Sequence, residues 1–174
     1  MKTDPENAGA MPTKDDIVVA KGDDVLYKDL YIKPIIGCEF YTVPNMKEPA
    51  RREVKNDHLI LLAKDDVGYH NLMKLNSLAW LEGFSGNRPR IDIECLEKYK
   101  EGLICLSACI AGRLPRYLID GDYDSALAYA KRFKDMFGED YYLEMQNHRF
   151  TENGRDLEKI TNRSEEHTSE LQSR

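Results

Sequence analysis

Between residues 32 and 162 the chain alternates short apolar runs with stretches in which apolar positions recur at three- and four-residue spacing. Residues 34–43 are apolar, β-branched and aromatic and predict a strand, with Pro34 at its start, where a missing N–H is tolerated. Pro44 and Asn45 end it. A charged loop, 47–57, leads to the near-continuous apolar run His58–Ala63, the pattern of a strand buried on both faces. Asp65 or Asp66 is placed to cap a helix. Its apolar spacing runs through Val67, Leu72, Leu75, Leu78 and Ala79 to a stop at Gly83. Residues 86–89 read as loop, 91–99 as a short helix and 102–107 as a third buried strand. Pro115 sits early in a helix that ends near Gly121. Asp122 or Asp124 caps the next helix, whose buried stripe is Ala126, Ala130, Phe133 and Phe137 and whose C-terminal cap is Gly138. Residues 141–146 read as a fourth strand. Strands alternating with helices predict a mainly parallel α/β architecture, either an open sheet or a barrel.

The two ends do not share this pattern. Residues 1–31 hold polar clusters around the apolar run 17–20 and a weaker one at Val25, Leu26, Leu30 and Tyr31, and give no assignable element. They read as unassigned, consistent with a mis-called start. Residues 163–173, RSEEHTSELQS, match the in-frame translation of a common sequencing-library adapter, so 163–174 is set aside as a tag would be.

Composition narrows the class. Hydrophobic residues make up 41% and charged residues 32% of the 174 residues, as in an ordinary globular domain. No apolar run approaches the length of a membrane span and no secretory signal is visible, so the expectation is a cytoplasmic protein with no membrane partner. The net charge of −6 argues against this segment being a duplex-gripping surface. Cys38, Cys95, Cys105 and Cys109 form no CxxC pair, so a zinc-finger reading is poor. They read as reduced, small core residues.

Three residues stand out by position. Glu39 lies within an otherwise apolar strand, His58 opens the next strand, and Cys109 follows the third. In α/β folds ligands gather at strand ends, and a carboxylate, an imidazole and a thiolate suit a borderline metal such as zinc. On local grounds alone a strand glutamate is more often salt-bridged, a lone histidine structural and an isolated cysteine part of the core. His70 reads as solvent-facing and His148 as a loop histidine. Arg88 and Arg90, flanking Pro89, are of a kind that contacts phosphates, though a surface role is the commoner one.

Taken in order, the motifs resemble a family. IKPIIGCE at 32–39, HLILLAK at 58–64, GYHNL at 68–72 with Leu75 and Ser77, Glu82-Gly83, RPRID at 88–92, EGLI at 101–104, LSACIAG at 106–112, Gly121-Asp122, Phe137-Gly138 and YLE at 142–144 are similar to the PHP domain (polymerase and histidinol phosphatase type) of bacterial DNA polymerase III alpha subunits. The resemblance implies a partial, distorted β/α barrel truncated at both ends, carried by 32–162. It implies a metal cluster, zinc or manganese, with Glu39, His58 and Cys109 among its ligands and, in some members, 3′–5′ exonuclease activity. The parent polymerase would use magnesium at a separate palm site outside this chain. Its partners would be DNA and replisome proteins such as a proofreading exonuclease and a sliding clamp.

The departures are specific. The family's opening HxH motif and a later TDHG-like histidine are absent, and residues 1–31 contain no histidine. The family's Asp-x-His pair would fall after about residue 170. Three ligands do not hold a multinuclear site securely, so the chain by itself is expected to be inactive as a polymerase and as a nuclease. A stand-alone PHP phosphoesterase and a metal-free scaffold that binds an exonuclease are the alternative readings.

Overall fold

A computed structural model describes residues 17–19, 25–27, 34–146, 151–152 and 155–156. The chain divides into two units, 1–35 and 36–174. In the first, β1 (Ile17–Val19) pairs antiparallel with β2 (Val25–Tyr27), Ile17 opposite Tyr27. Here the sequence reading is corrected. Three-residue strands are too short to show a two-residue period, so the apolar runs within 1–31 gave no element.

The second unit is built on β3 (Gly37–Thr42), β4 (Asp57–Ala63), β5 (Arg90–Ile91), β6 (Leu103–Leu106) and β7 (Tyr141–Tyr142). These form one sheet in the order β5-β3-β4-β6-β7. The strand pairs β3–β4 and β4–β6 are antiparallel; β3–β5 and β6–β7 are parallel. The expectation of a mainly parallel sheet is therefore corrected to a mixed one. β3 and β4 are joined by a loop without a crossover helix, and that connection leaves them antiparallel. Among the described residues the sheet is open rather than closed. The fourth strand is shorter than expected: only Tyr141 and Tyr142 pair. Further on, β8 (Thr151–Glu152) pairs antiparallel with β9 (Arg155–Asp156). The residues between them in sequence are Asn153-Gly154, a strongly favoured hairpin dipeptide.

Among the described residues three of the four α-helices start on an aspartate cap. In α1 (Asp66–Leu81) Asp65 accepts from the Gly68 N–H at 2.8 Å. In α2 (Ile93–Lys98) Asp92 accepts from Cys95 at 2.9 Å. In α4 (Tyr123–Phe137) Asp122 accepts from Ser125 at 3.1 Å. Each cap satisfies an N–H that the helix leaves unpaired. Between the last two lies α3 (Arg113–Asp120). Helices α1 and α4 pack on the sheet. Leu72, Leu75, Ala79 and Phe133 meet Phe40, Leu59, Leu61, Leu103 and Cys105 in one core. Burial alternates along β4 from Asp57 to Leu62. The expectation of a strand buried on both faces is thus corrected: one face lies in the core, while His58, Ile60 and Leu62 on the other are half-buried. Among the described residues, no helix is long and apolar enough to cross a membrane.

Val67 does not join the buried stripe of α1; Gly68 does. A Cβ on Gly68 would stand 1.8 Å from the Gly102 carbonyl oxygen, so α1 can approach the start of β6 only without a side chain there. Gly68→Ala is expected to cost about 1–3 kcal/mol through overpacking, read as a lower denaturation midpoint with an unchanged slope.

Candidate metal centre

The register of the sheet assembles the site. Glu39 pairs with Ile60 and Tyr41 with His58, which places Glu39 and His58 as diagonal neighbours on the half-exposed face. Glu39 Oε1 contacts His58 Nδ1 directly. Cys109 comes from the loop after β6, with its Sγ 3.5 Å from the same Nδ1. One ligand atom from each of Glu39, His58 and Cys109 lies within 4.8 Å of the others. The structure therefore brings together the three residues that the sequence singled out.

That loop is shaped for the purpose. Ala108, nearly fully buried, adopts φ +62°, a conformation uncommon for a residue with a Cβ and typical of functional turns. The loop is then tied to β4: His58 N–H donates to the Ala111 carbonyl at 3.1 Å, and Gly112 N–H donates to the Cys109 carbonyl at 2.8 Å. A Cβ at Gly112 would meet the Ser107 carbonyl oxygen at 2.5 Å, so a larger residue would force the loop off the sheet. The Ala111 N–H also donates to Cys109 Sγ at 3.4 Å.

A second set of charges holds the same loop from the core side. Asp57 is 2% exposed, on the face of β4 opposite His58. Its Oδ2 accepts from Arg113 Nε and its Oδ1 from Arg116 Nη1, both at 2.6 Å. Burial pushes the Asp57 carboxyl up from its ordinary value, while the two arginines pull it back. The clamp fixes the first turn of α3, and hence the end of the Cys109 loop, against β4. The sequence reading missed it because it began the strand at His58; extending the two-residue alternation of Leu59 and Leu61 back by one step puts Asp57 on the core face.

Chemically, an imidazole nitrogen, a carboxylate oxygen and a sulfur present lone pairs to one point. Such groups repel unless a proton or a cation lies between them. Zinc bond lengths of about 2.0–2.3 Å set ligand atoms roughly 3.3–3.8 Å apart in a tetrahedron, within the reach of this group. The donor types fit a borderline divalent metal. Glu39 and His58 supply hard and intermediate donors; Cys109 adds the soft one.

The remaining candidates fall elsewhere. His70 is exposed, its Nδ1 2.7 Å from the Asp66 carbonyl oxygen. His148 lies outside the described residues. Arg90 is not a surface residue: at 3% exposure its guanidinium donates to the carbonyls of Gly83 at 3.0 Å, Met46 at 3.1 Å and Glu48 at 2.7 Å. It pins two loops and is unavailable to a phosphate. All four thiols are free. Burial, reinforced by Asp92 and Glu82, pushes the Cys95 thiol up to about 11, and burial raises that of Cys105 further.

Comparison with known proteins places these residues in context. The family described as PHP domain matches residues 17–148. The chain is 49% identical over 120 residues to the DNA polymerase III subunit alpha of Borreliella burgdorferi, covering 67% of this chain and 10% of that protein. It is 47% identical over 123 residues to the subunit of the same name from Aquifex aeolicus, covering 66% and 10%. To that of Treponema pallidum it is 44% identical over 121 residues, covering 67% and 10%. The chain thus spans about a tenth of the length of the curated relatives it matches.

Proposed function

The chain belongs to the PHP domain family, and from that premise we propose that it is the metal-binding part of a bacterial replicative DNA polymerase alpha subunit, with Glu39, His58 and Cys109 as ligands of zinc or manganese. The observation that carries this reading is the convergence of the three donor atoms within 4.8 Å on the half-exposed sheet face. A metal bound there would act as a Lewis acid and lower the pKa of a bound water. The residues of this chain would hold the ion, leave one side open and, through the Ala108–Gly112 turn, keep the sulfur on the imidazole.

In this reading residues 32–162 form part of a distorted β/α barrel truncated at both ends. The half-buried apolar row of Ile60, Leu62, Ile104 and Leu106 supports it, since an open one-layer sheet gains nothing from apolar residues on its uncovered side. The family match begins at residue 17, so of residues 1–31 only 1–16 stay unassigned, and 163–174, outside the described residues, are adapter-derived; resequencing the source DNA through residue 162 tests this partition. Template-directed DNA synthesis with its magnesium site, 3′–5′ exonuclease activity, a proofreading exonuclease and a sliding clamp as partners, and a cytoplasmic location are then properties of the whole polymerase.

Thiol labelling tests the metal site. In the metal-free full chain, alkylation is expected to reach Cys38 and Cys109, which are half-buried, and to spare Cys95 and Cys105. Added zinc is expected to slow labelling of Cys109 to near the rate of Cys105, leaving Cys38 unchanged, as mass spectrometry would show. If neither zinc nor manganese alters Cys109 labelling, the metal-free scaffold reading replaces this one.

A further inference from the structure

One cation near the donor set has neither a hydrogen-bond nor an ion-pair partner among the described residues. Arg88 is exposed, and its guanidinium lies 4.5 Å from the centre of the Tyr41 ring. Tyr41 in turn meets the His58 ring edge-on, with centroids 5.1 Å apart and planes at 82°. Among the described residues, the Arg88 side chain makes no hydrogen bond and no ion pair. Its backbone, by contrast, is fixed. Gly86 and Asn87 both have positive φ, 62° and 63°, as in the tight turn that closes a two-residue hairpin. Ser85 and Arg88 bond across that turn at 3.1 and 3.3 Å, and Ser85 Oγ accepts from the Ala50 N–H at 2.9 Å. The arginine is thus held two ring contacts from His58, with its donors uncommitted.

Other cations differ. The cleft of about 450 Å³ beside Thr42 and Tyr117 is lined by Arg113 and Arg132, which are already paired with Asp57 and Glu97. Arg90 is spent on backbone carbonyls. A phosphate approaching the donor set meets the Glu39 carboxylate, and an uncommitted guanidinium at the edge of that set offsets this repulsion.

We propose that Arg88, stacked on Tyr41, is the anion-binding residue of this site and holds a non-bridging oxygen of a phosphodiester whose neighbouring linkage faces Glu39, His58 and Cys109. The proposal rests on the metal-site reading for where the substrate sits, but not for its own test. Stacking leaves the outer N–H groups of the guanidinium free to form the paired bonds that phosphate oxygens accept.

The test is binding of thymidylyl-(3′–5′)-thymidine to the full chain, followed by NMR shifts, with and without zinc. Arg88→Ala is expected to weaken binding about tenfold to a hundredfold, the effect of one lost charge-assisted pair. Arg88→Lys, which keeps the charge but loses the fork, is expected to fall between. The uncharged methylphosphonate dinucleotide should bind parent and Arg88→Ala alike. Zinc affinity, measured by chelator competition, should be the same in all three proteins. Equal dinucleotide affinity in parent and Arg88→Ala overturns the proposal, as does parent protein that binds no dinucleotide in either form. Failure of zinc to bind overturns the metal reading alone, because the metal-free comparison still decides the role of Arg88.

Discussion

Replacing His58 with alanine is expected to lower the zinc affinity of the full chain by more than about a hundredfold, the upper end of what loss of a residue merely supporting a metal ligand costs. The imidazole is the centre of the donor set: the carboxylate of Glu39 and the sulfur of Cys109 both face its Nδ1. Without it the two remaining groups, one on β3 and one in the loop after β6, have no donor between them. Cys109→Ser separates the metals. A hydroxyl of similar size loses the soft ligand, so zinc affinity should fall steeply while manganese, suited to carboxylate and water ligands, should lose less. Competition against a chromogenic chelator reads both. Zinc affinity unchanged in His58→Ala would place the ion elsewhere and remove Glu39 and Cys109 from the site as well.

Much of the candidate site was legible before any coordinates, from where its residues stand along the predicted strands. Glu39 interrupts an apolar strand, and a charged residue there must have a partner or face solvent. His58 opens the next strand, and in α/β folds ligands gather at strand ends. Cys109 was named as the residue that follows the third strand, but its spacing could not show how it comes to the imidazole. Cys109 reaches the imidazole only because Ala108 turns with positive φ and Gly112 lets the Ser107 carbonyl pass, and neither feature has a sequence period. The helices read well, since α1, α2 and α4 carry aspartate caps and α4 keeps the stripe Ala126, Ala130 and Phe133 on one side. Strand direction read poorly. Alternation of strands and helices argues for parallel pairing, but the 47–56 connection holds no helix, and β3 and β4 turn back on each other. Arg90 misled in a different way: a guanidinium near proline resembles a surface phosphate contact, yet its three carbonyl partners come from loops more than forty residues away or across a turn.

The largest loss of stability is expected from removing both arginines that face Asp57. Asp57 is 2% exposed with both arginines in place; the double variant Arg113→Ala/Arg116→Ala leaves its carboxylate on the core side of β4 without either counter-charge. Stranding one member of a buried ion pair costs about 3–5 kcal/mol. Asp57→Ala should cost less, because the side chains of Arg113 and Arg116 keep 30% and 23% of their exposure and can turn to water. Removing all three groups should recover much of the double variant's loss, giving a coupling energy that a purely additive surface effect would not produce. The pH dependence has a definite sign. Burial raises the Asp57 carboxyl and only the arginines oppose it; in the double variant the upward push acts alone. The unfolded chain releases this proton near the ordinary value of about 3.9, so the folded double variant binds it more tightly and loses stability as pH rises above that range. Its deficit against the parent is therefore largest at neutral pH and shrinks in acid, as urea midpoints across pH would show. A deficit independent of pH would mean that the arginines act through packing. The same clamp ends the Cys109 loop at α3, so the double variant should also bind zinc more weakly at temperatures where it is still folded, whereas Gly68→Ala, equally destabilising in kind but remote from that loop, should not.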